Sequence, residues 1–147
     1  MATTEMHANR NLRPRVLSDG TRRGIDRYFA FGHGSKPHWW DDERVPVSGP
    51  IVGVYENREG SAQDALVLTE EGLSVLRGTG AESFEFYDVA RVVLPRKEPI
   101  AVSLYVHLHS GARFEIPVYE PVGAAFDFYR FLSSAVAQKR REASRSV

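Results

Sequence analysis

Residues 101–118, AVSLYVHLHSGARFEIPV, read as two strands around a turn. Val102, Leu104, Val106 and Leu108 alternate with Ser103, Tyr105, His107 and His109. A period of two sets the apolar side chains on one face of a half-buried strand and the polar ones on the other. Ser110-Gly111 predicts a two-residue turn. On the return strand Phe114, Ile116 and Val118 point inward, while Arg113, Glu115 and Pro117 point out. Pro117 has no amide hydrogen to give a ladder, so it belongs at a strand end or on an edge.

Upstream, the same punctuation recurs. Strands are expected at Ile51–Glu56, Ala65–Thr69, Leu73–Arg77, Phe84–Tyr87 and Val89–Leu94. Glu70-Glu71-Gly72 predicts a tight hairpin with Gly72 at positive φ, and Pro95 stops the fifth strand. Downstream, Pro121 suits the first turn of a helix. Val122, Ala125, Phe126, Tyr129, Leu132, Ser133 and Val136 follow at helical spacing, and Phe128 and Phe131 widen that face. A helix so aromatic has to be buried, and the sheets are its destination. The fold class expected is α+β, a roll of about seven antiparallel strands capped by one C-terminal helix.

The run from ALVLTEEGLSVL through ESFEFYDVARVVLP to the 101–118 hairpin and the aromatic helix resembles the pleckstrin-homology (PH-like) superfamily, in its bacterial PH and GRAM-like forms. The features that carry it are Thr69-Glu70-Glu71-Gly72-Leu73, Tyr87-Asp88-Val89-Ala90-Arg91-Val92, the Ser110-Gly111 hairpin and the closing helix. The resemblance covers residues 50–138 and implies a bent seven-stranded sandwich plugged at one end. It also implies binding of phosphoinositide headgroups, peptides or proteins, and rarely catalysis; fold alone does not choose among these.

The chain is expected to divide into an arm at 1–49, the PH-like domain at 50–138 and a basic tail at 139–147. In the arm, Ile25, Tyr28 and Phe29 predict one or two turns of helix between Gly24 and Phe31. The stretch GHGSKPHWWDDERVPVSGP predicts an irregular loop around Trp39 and Trp40. Charge is unevenly placed. Residues 1–27 carry +3, 28–138 carry −6 and 139–147 carry +3, giving a formal net charge of zero. Basic ends can track an anionic partner or stay solvated, the C-terminal one answering a helix dipole.

With 147 residues and no cysteine, the sequence excludes a disulfide framework, a thiol nucleophile and a Cys-based zinc site. It contains no run of eighteen apolar residues and no apolar leader near its start, so a soluble cytoplasmic protein is expected. Gly78-Thr79-Gly80 and Gly32-His33-Gly34 lack the context of a phosphate loop, and no Gly-x-Ser-x-Gly elbow is present. Nucleic acid is not an expected partner, because the domain is acidic and does not interleave cations with aromatics.

Candidate sites follow from these patterns. A phosphoinositide site needs clustered cations at the first hairpin. The loop 57–64 offers Arg58 beside Glu59 and Asp64, with Glu56 just before it, so its charge is near zero or repulsive. Arg96 and Lys97 form the one adjacent basic pair in the domain and join Arg58 as candidate anion-binding residues. His107 and His109 with Glu115, or His33, His38, Asp41, Asp42 and Glu43, contain metal-ligand residue types without a fixed spacing. Neither set is assigned a metal, and no cofactor is expected. Trp39 and Trp40 fasten the arm to the domain or anchor a partner; on extended backbone at most one indole is well buried. With Tyr105, His107 and His109 they are the candidate partner-binding residues. The function expected is a non-enzymatic module binding a protein or peptide along a strand edge or beside the helix. The alternatives are an anionic lipid or phosphoinositide binder, a metal-dependent enzyme, or a self-assembling subunit.

Overall fold

The structure is a computed structural model, describing residues 28–43, 45, 47, 50–78, 80–94, 103–119 and 124–145. Among the described residues there are eight strands: β1 (Tyr28–Ala30), β2 (Ile51–Tyr55), β3 (Leu66–Thr69), β4 (Gly72–Arg77), β5 (Gly80–Glu85), β6 (Val89–Val93), β7 (Ser103–Leu108) and β8 (Arg113–Pro117). A C-terminal helix, α1 (Ala124–Arg145), follows. The strands form a five-stranded sheet ordered β1-β2-β3-β4-β5 and a three-stranded sheet ordered β6-β7-β8, with all neighbours antiparallel. The fold is α+β.

The main core lies between the two sheets and under the helix. Tyr55, Leu66, Leu68, Leu73, Val75 and Phe84 from the larger sheet meet Leu104, Val106 and Ile116 from the smaller one. Helix α1 contributes Ala125, Phe128, Leu132 and Ala135, spaced by three and four residues, with Phe131 and Val136 beside them. The Phe128 ring meets Tyr55 edge-on at 5.1 Å, and Phe131 meets Phe86 at 6.3 Å. The buried face is therefore centred on Phe128 and Leu132, with Tyr129 at its margin. Pro121 and Val122 lie outside the described residues, as does the side chain of Phe126.

Several expectations are corrected. Tyr28 and Phe29 are in a strand rather than a helix. Pairing with Tyr55 and Val54 buries Tyr28, a gain that one isolated turn of helix does not offer. Gly53 makes the close approach feasible, since a Cβ there would strike the Tyr28 phenol and the Phe29 carbonyl. Gly72 does not have positive φ; its role is steric, because a Cβ would collide with the Phe84 carbonyl across β4–β5. The turn itself is held by Thr69, whose Oγ1 accepts from Gly72 N at 3.0 Å. The hairpin between β7 and β8 has three loop residues, not two. Leu108 N donates to Ala112 O at 2.9 Å, and Gly111 takes φ 95° within the loop.

β5 begins at Gly80 and ends before a 3-10 turn at Phe86–Asp88, so the expected strand 84–87 is displaced toward the N-terminus. Pro117 does end its strand, an edge strand of the small sheet, but it is buried rather than pointing out. Helix α1 continues to Arg145, so most of the expected basic tail is helical. Lys139 pairs with Glu71 at 3.1 Å, and Arg140 donates to the Val89 and Ala90 carbonyls at 3.0 and 2.7 Å. Both cations fasten the helix rather than standing apart. No described helix is long and apolar enough to cross a membrane.

Candidate interaction surfaces

The three-stranded sheet turns a polar face away from the core. Leu104 and Val106 are fully buried, while Tyr105 and His107 between them are partly exposed. Register places Arg91, His107 and Arg113 opposite one another in one cross-strand row, and Val93, Tyr105 and Glu115 in the next. The Arg113 guanidinium lies 3.9 Å from the Tyr105 ring centroid, a contact that orders both side chains. The Tyr105 hydroxyl donates to Glu115 Oε2 at 3.2 Å. His109 does not join His107 on this face. The strand ends at Leu108, and His109 stands in the turn, its backbone N–H bonded to Asp88 O at 2.9 Å.

The tryptophans belong to a second apolar layer on the opposite side of the five-stranded sheet. Val54, Ala65, Val67 and Leu76 form its floor, and Phe31, Trp39, Trp40, Val45 and Val47 cover them. Phe31 and Trp40 meet edge-on at 4.9 Å, and the two indoles are 5.9 Å apart. Trp39 Nε1 donates to Glu56 Oε2 at 2.6 Å, and Trp40 Nε1 to Asp42 Oδ1 at 2.5 Å. Both indoles are half-buried and both polar tips are satisfied. The pair fastens the arm to the sheet. Tyr105 and His107 belong to the other sheet, so the proposed partner residues are not one constellation.

The loop after β2 is wired inward. Buried Glu56 also accepts from Gly60 N at 3.0 Å. Asp64, buried and at φ 60°, receives Arg77 Nη1 at 2.7 Å and the Tyr119 hydroxyl at 3.0 Å. Asp is among the few residues that enter this left-handed region readily. Arg58 lies 3.6 Å from the same carboxylate and over the Tyr119 ring at 5.3 Å. Burial raises the Tyr119 phenol above the ordinary tyrosine value. Its bond to Asp64 and that carboxylate's charge add to this, while Arg58 and Arg77 pull it down. Asn57 donates to Asp64 O at 2.6 Å and to Pro117 O at 2.8 Å, and accepts from Tyr119 N at 2.9 Å. This amide joins the end of β8 to the larger sheet.

This hub escaped the sequence reading because positions 57, 58, 64, 77 and 119 share no spacing; only the fold assembles them. Its one sequence signal was two acids and an Asn in a loop bordered by apolar strands. Arg96 and Lys97 lie outside the described residues, so of the candidate anion-binding set only Arg58 is placed. Asp41 and Asp42 serve the backbone of Glu43 and the Trp40 indole. Among the described residues no three His, Asp or Glu side chains gather as a metal-ligand set. The described residues define an α+β fold of two antiparallel sheets with a long C-terminal helix. No family model, curated protein or solved structure matches the chain.

Proposed function

We propose that this chain is a PH-like, non-enzymatic interaction module that binds a protein or peptide. Supporting the PH-like part, the strands from β2 onward form a four-then-three antiparallel meander followed by a C-terminal helix. β1 is then an added edge strand contributed by the arm. The observation that carries the choice of partner is the inward wiring of the loop 56–64. Arg58 and Arg77 share the buried Asp64 carboxylate, and Glu56 is held by the Trp39 indole and Gly60. Cations already neutralised by a buried acid add little to attraction for a multiply charged headgroup. The acids most shielded from water are spent on holding loops, which speaks for binding rather than acid–base chemistry.

Selection from a displayed random-peptide library, followed by calorimetry with synthetic peptides, tests the reading. Saturable binding of a selected peptide is expected. Enrichment of no peptide, together with binding to phosphoinositide vesicles, would turn the assignment to lipid.

A further inference from the structure

Resting on that reading, we infer that the outer face of the three-stranded sheet is the docking surface and that its partner is an acidic protein segment. The row Arg91–His107–Arg113 runs straight across β6, β7 and β8. The two arginines flank His107 with no acid in the row, so their charge is not balanced within the row. Among the described residues of this face, two arginines and an imidazole stand against one carboxylate, Glu115, which the Tyr105 hydroxyl engages. Among the described residues neither Arg91 nor Arg113 forms an ion pair. Arg113 is pre-ordered by its stack on Tyr105. The guanidinium forks suit carboxylates in bidentate geometry.

The arginine backbones stand two inter-strand spacings apart, ~10 Å, a span that three residues of extended chain cover. Charge outside the row narrows the occupant. Residues 28–138 carry −6 and the whole chain carries zero, so no net charge draws the molecule to a broad anionic surface such as a bilayer. A short acidic segment engages the row alone. At the β6 edge beside the helix, the Val89 and Ala90 carbonyls are taken by Arg140.

The test uses the full chain and a fluorescein-labelled oligoglutamate peptide, with oligoglutamine as control. Anisotropy should rise with oligoglutamate only, and amide shifts should map to β6, β7 and β8. Arg91→Gln combined with Arg113→Gln should weaken binding by about tenfold or more. Arg91→Gln alone leaves the Tyr105 stack intact and should give a smaller loss in the same direction. Unchanged melting of both variants would show that the loss is at the surface. Several outcomes would overturn the inference: no oligoglutamate binding, equal binding by the variants, shifts elsewhere, preferential binding to phosphatidylserine vesicles, or self-association in place of peptide binding. Library peptides that bind but are not acidic, or that map to another face, would overturn it while leaving the interaction module standing. Failure of both peptide sources would remove both.

Discussion

Asp64 illustrates how one carboxylate can settle the character of a surface. It is buried, and among the described residues every buried side-chain polar atom has a hydrogen-bond partner. An acid in this position costs desolvation unless donors surround it, and Arg77 and Tyr119 supply them. Tyr119→Phe removes one donor and should lower stability by about 0.5–1.5 kcal/mol at neutral pH. The pH dependence has a definite sign. The folded protein holds the phenol protonated above its ordinary value. Its contribution is whole below about pH 10, the value for an unfolded tyrosine, and is lost as pH rises through the higher folded value. The gap between the parent and Tyr119→Phe should therefore shrink at strongly alkaline pH. Urea unfolding of both proteins at neutral and alkaline pH measures it, and a gap that widened would refute this account.

Within the elements, burial and not propensity decides. Phe128→Ala should cost about 3–5 kcal/mol, because the ring is fully enclosed and meets Tyr55. Arg130→Ala, two residues on but exposed, should change stability by less than about 0.5 kcal/mol. Urea midpoints of the two variants give the comparison directly. The same logic explains what could be read from sequence. β7 was legible because Leu104 and Val106 face a core while Tyr105 and His107 do not, so period two is written into the chain. α1 was legible through its aromatics, although its centre shifted to Phe128 once the sheets chose the face. β3 shows no alternation because Leu66 and Leu68 enter the main core while Val67 enters the second layer. β1 resembles a helical turn in sequence because three residues are too few to show a period. The need for Gly72 was visible, but its reason, the Phe84 carbonyl, comes from a residue twelve positions further along the chain. Of the candidate surface, Tyr105 and His107 were legible from alternation. Their alignment with Arg91 and Arg113 is a matter of register, which no local pattern records.

On the scale of the whole molecule, the five-stranded sheet is buried on both faces by material from opposite ends of the described chain. Helix and small sheet cover one side; the arm, with Phe31, Trp39 and Trp40, covers the other. The two covers differ in strength. The main core joins β2 to β8 and the helix and takes only Tyr28, with Ala30 beside it, from the arm, which is otherwise held by three residue pairs between β1 and β2 and by a small apolar layer. Both tryptophans of the chain are in the arm, so indole fluorescence reports that layer, and far-UV circular dichroism reports the sheets and helix. In the parent protein the two signals should change together, as a cooperative domain requires. Gly53→Ala should separate them. The added methyl has to displace the Tyr28 phenol or the Phe29 carbonyl, which pushes β1 off its neighbour while the Phe128 core stays intact. Fluorescence would then change at lower urea than ellipticity, with the second midpoint close to that of the parent. Coincident transitions in Gly53→Ala, both displaced, would instead mean that the arm is part of the single folding unit and that β1 is as integral to it as β2.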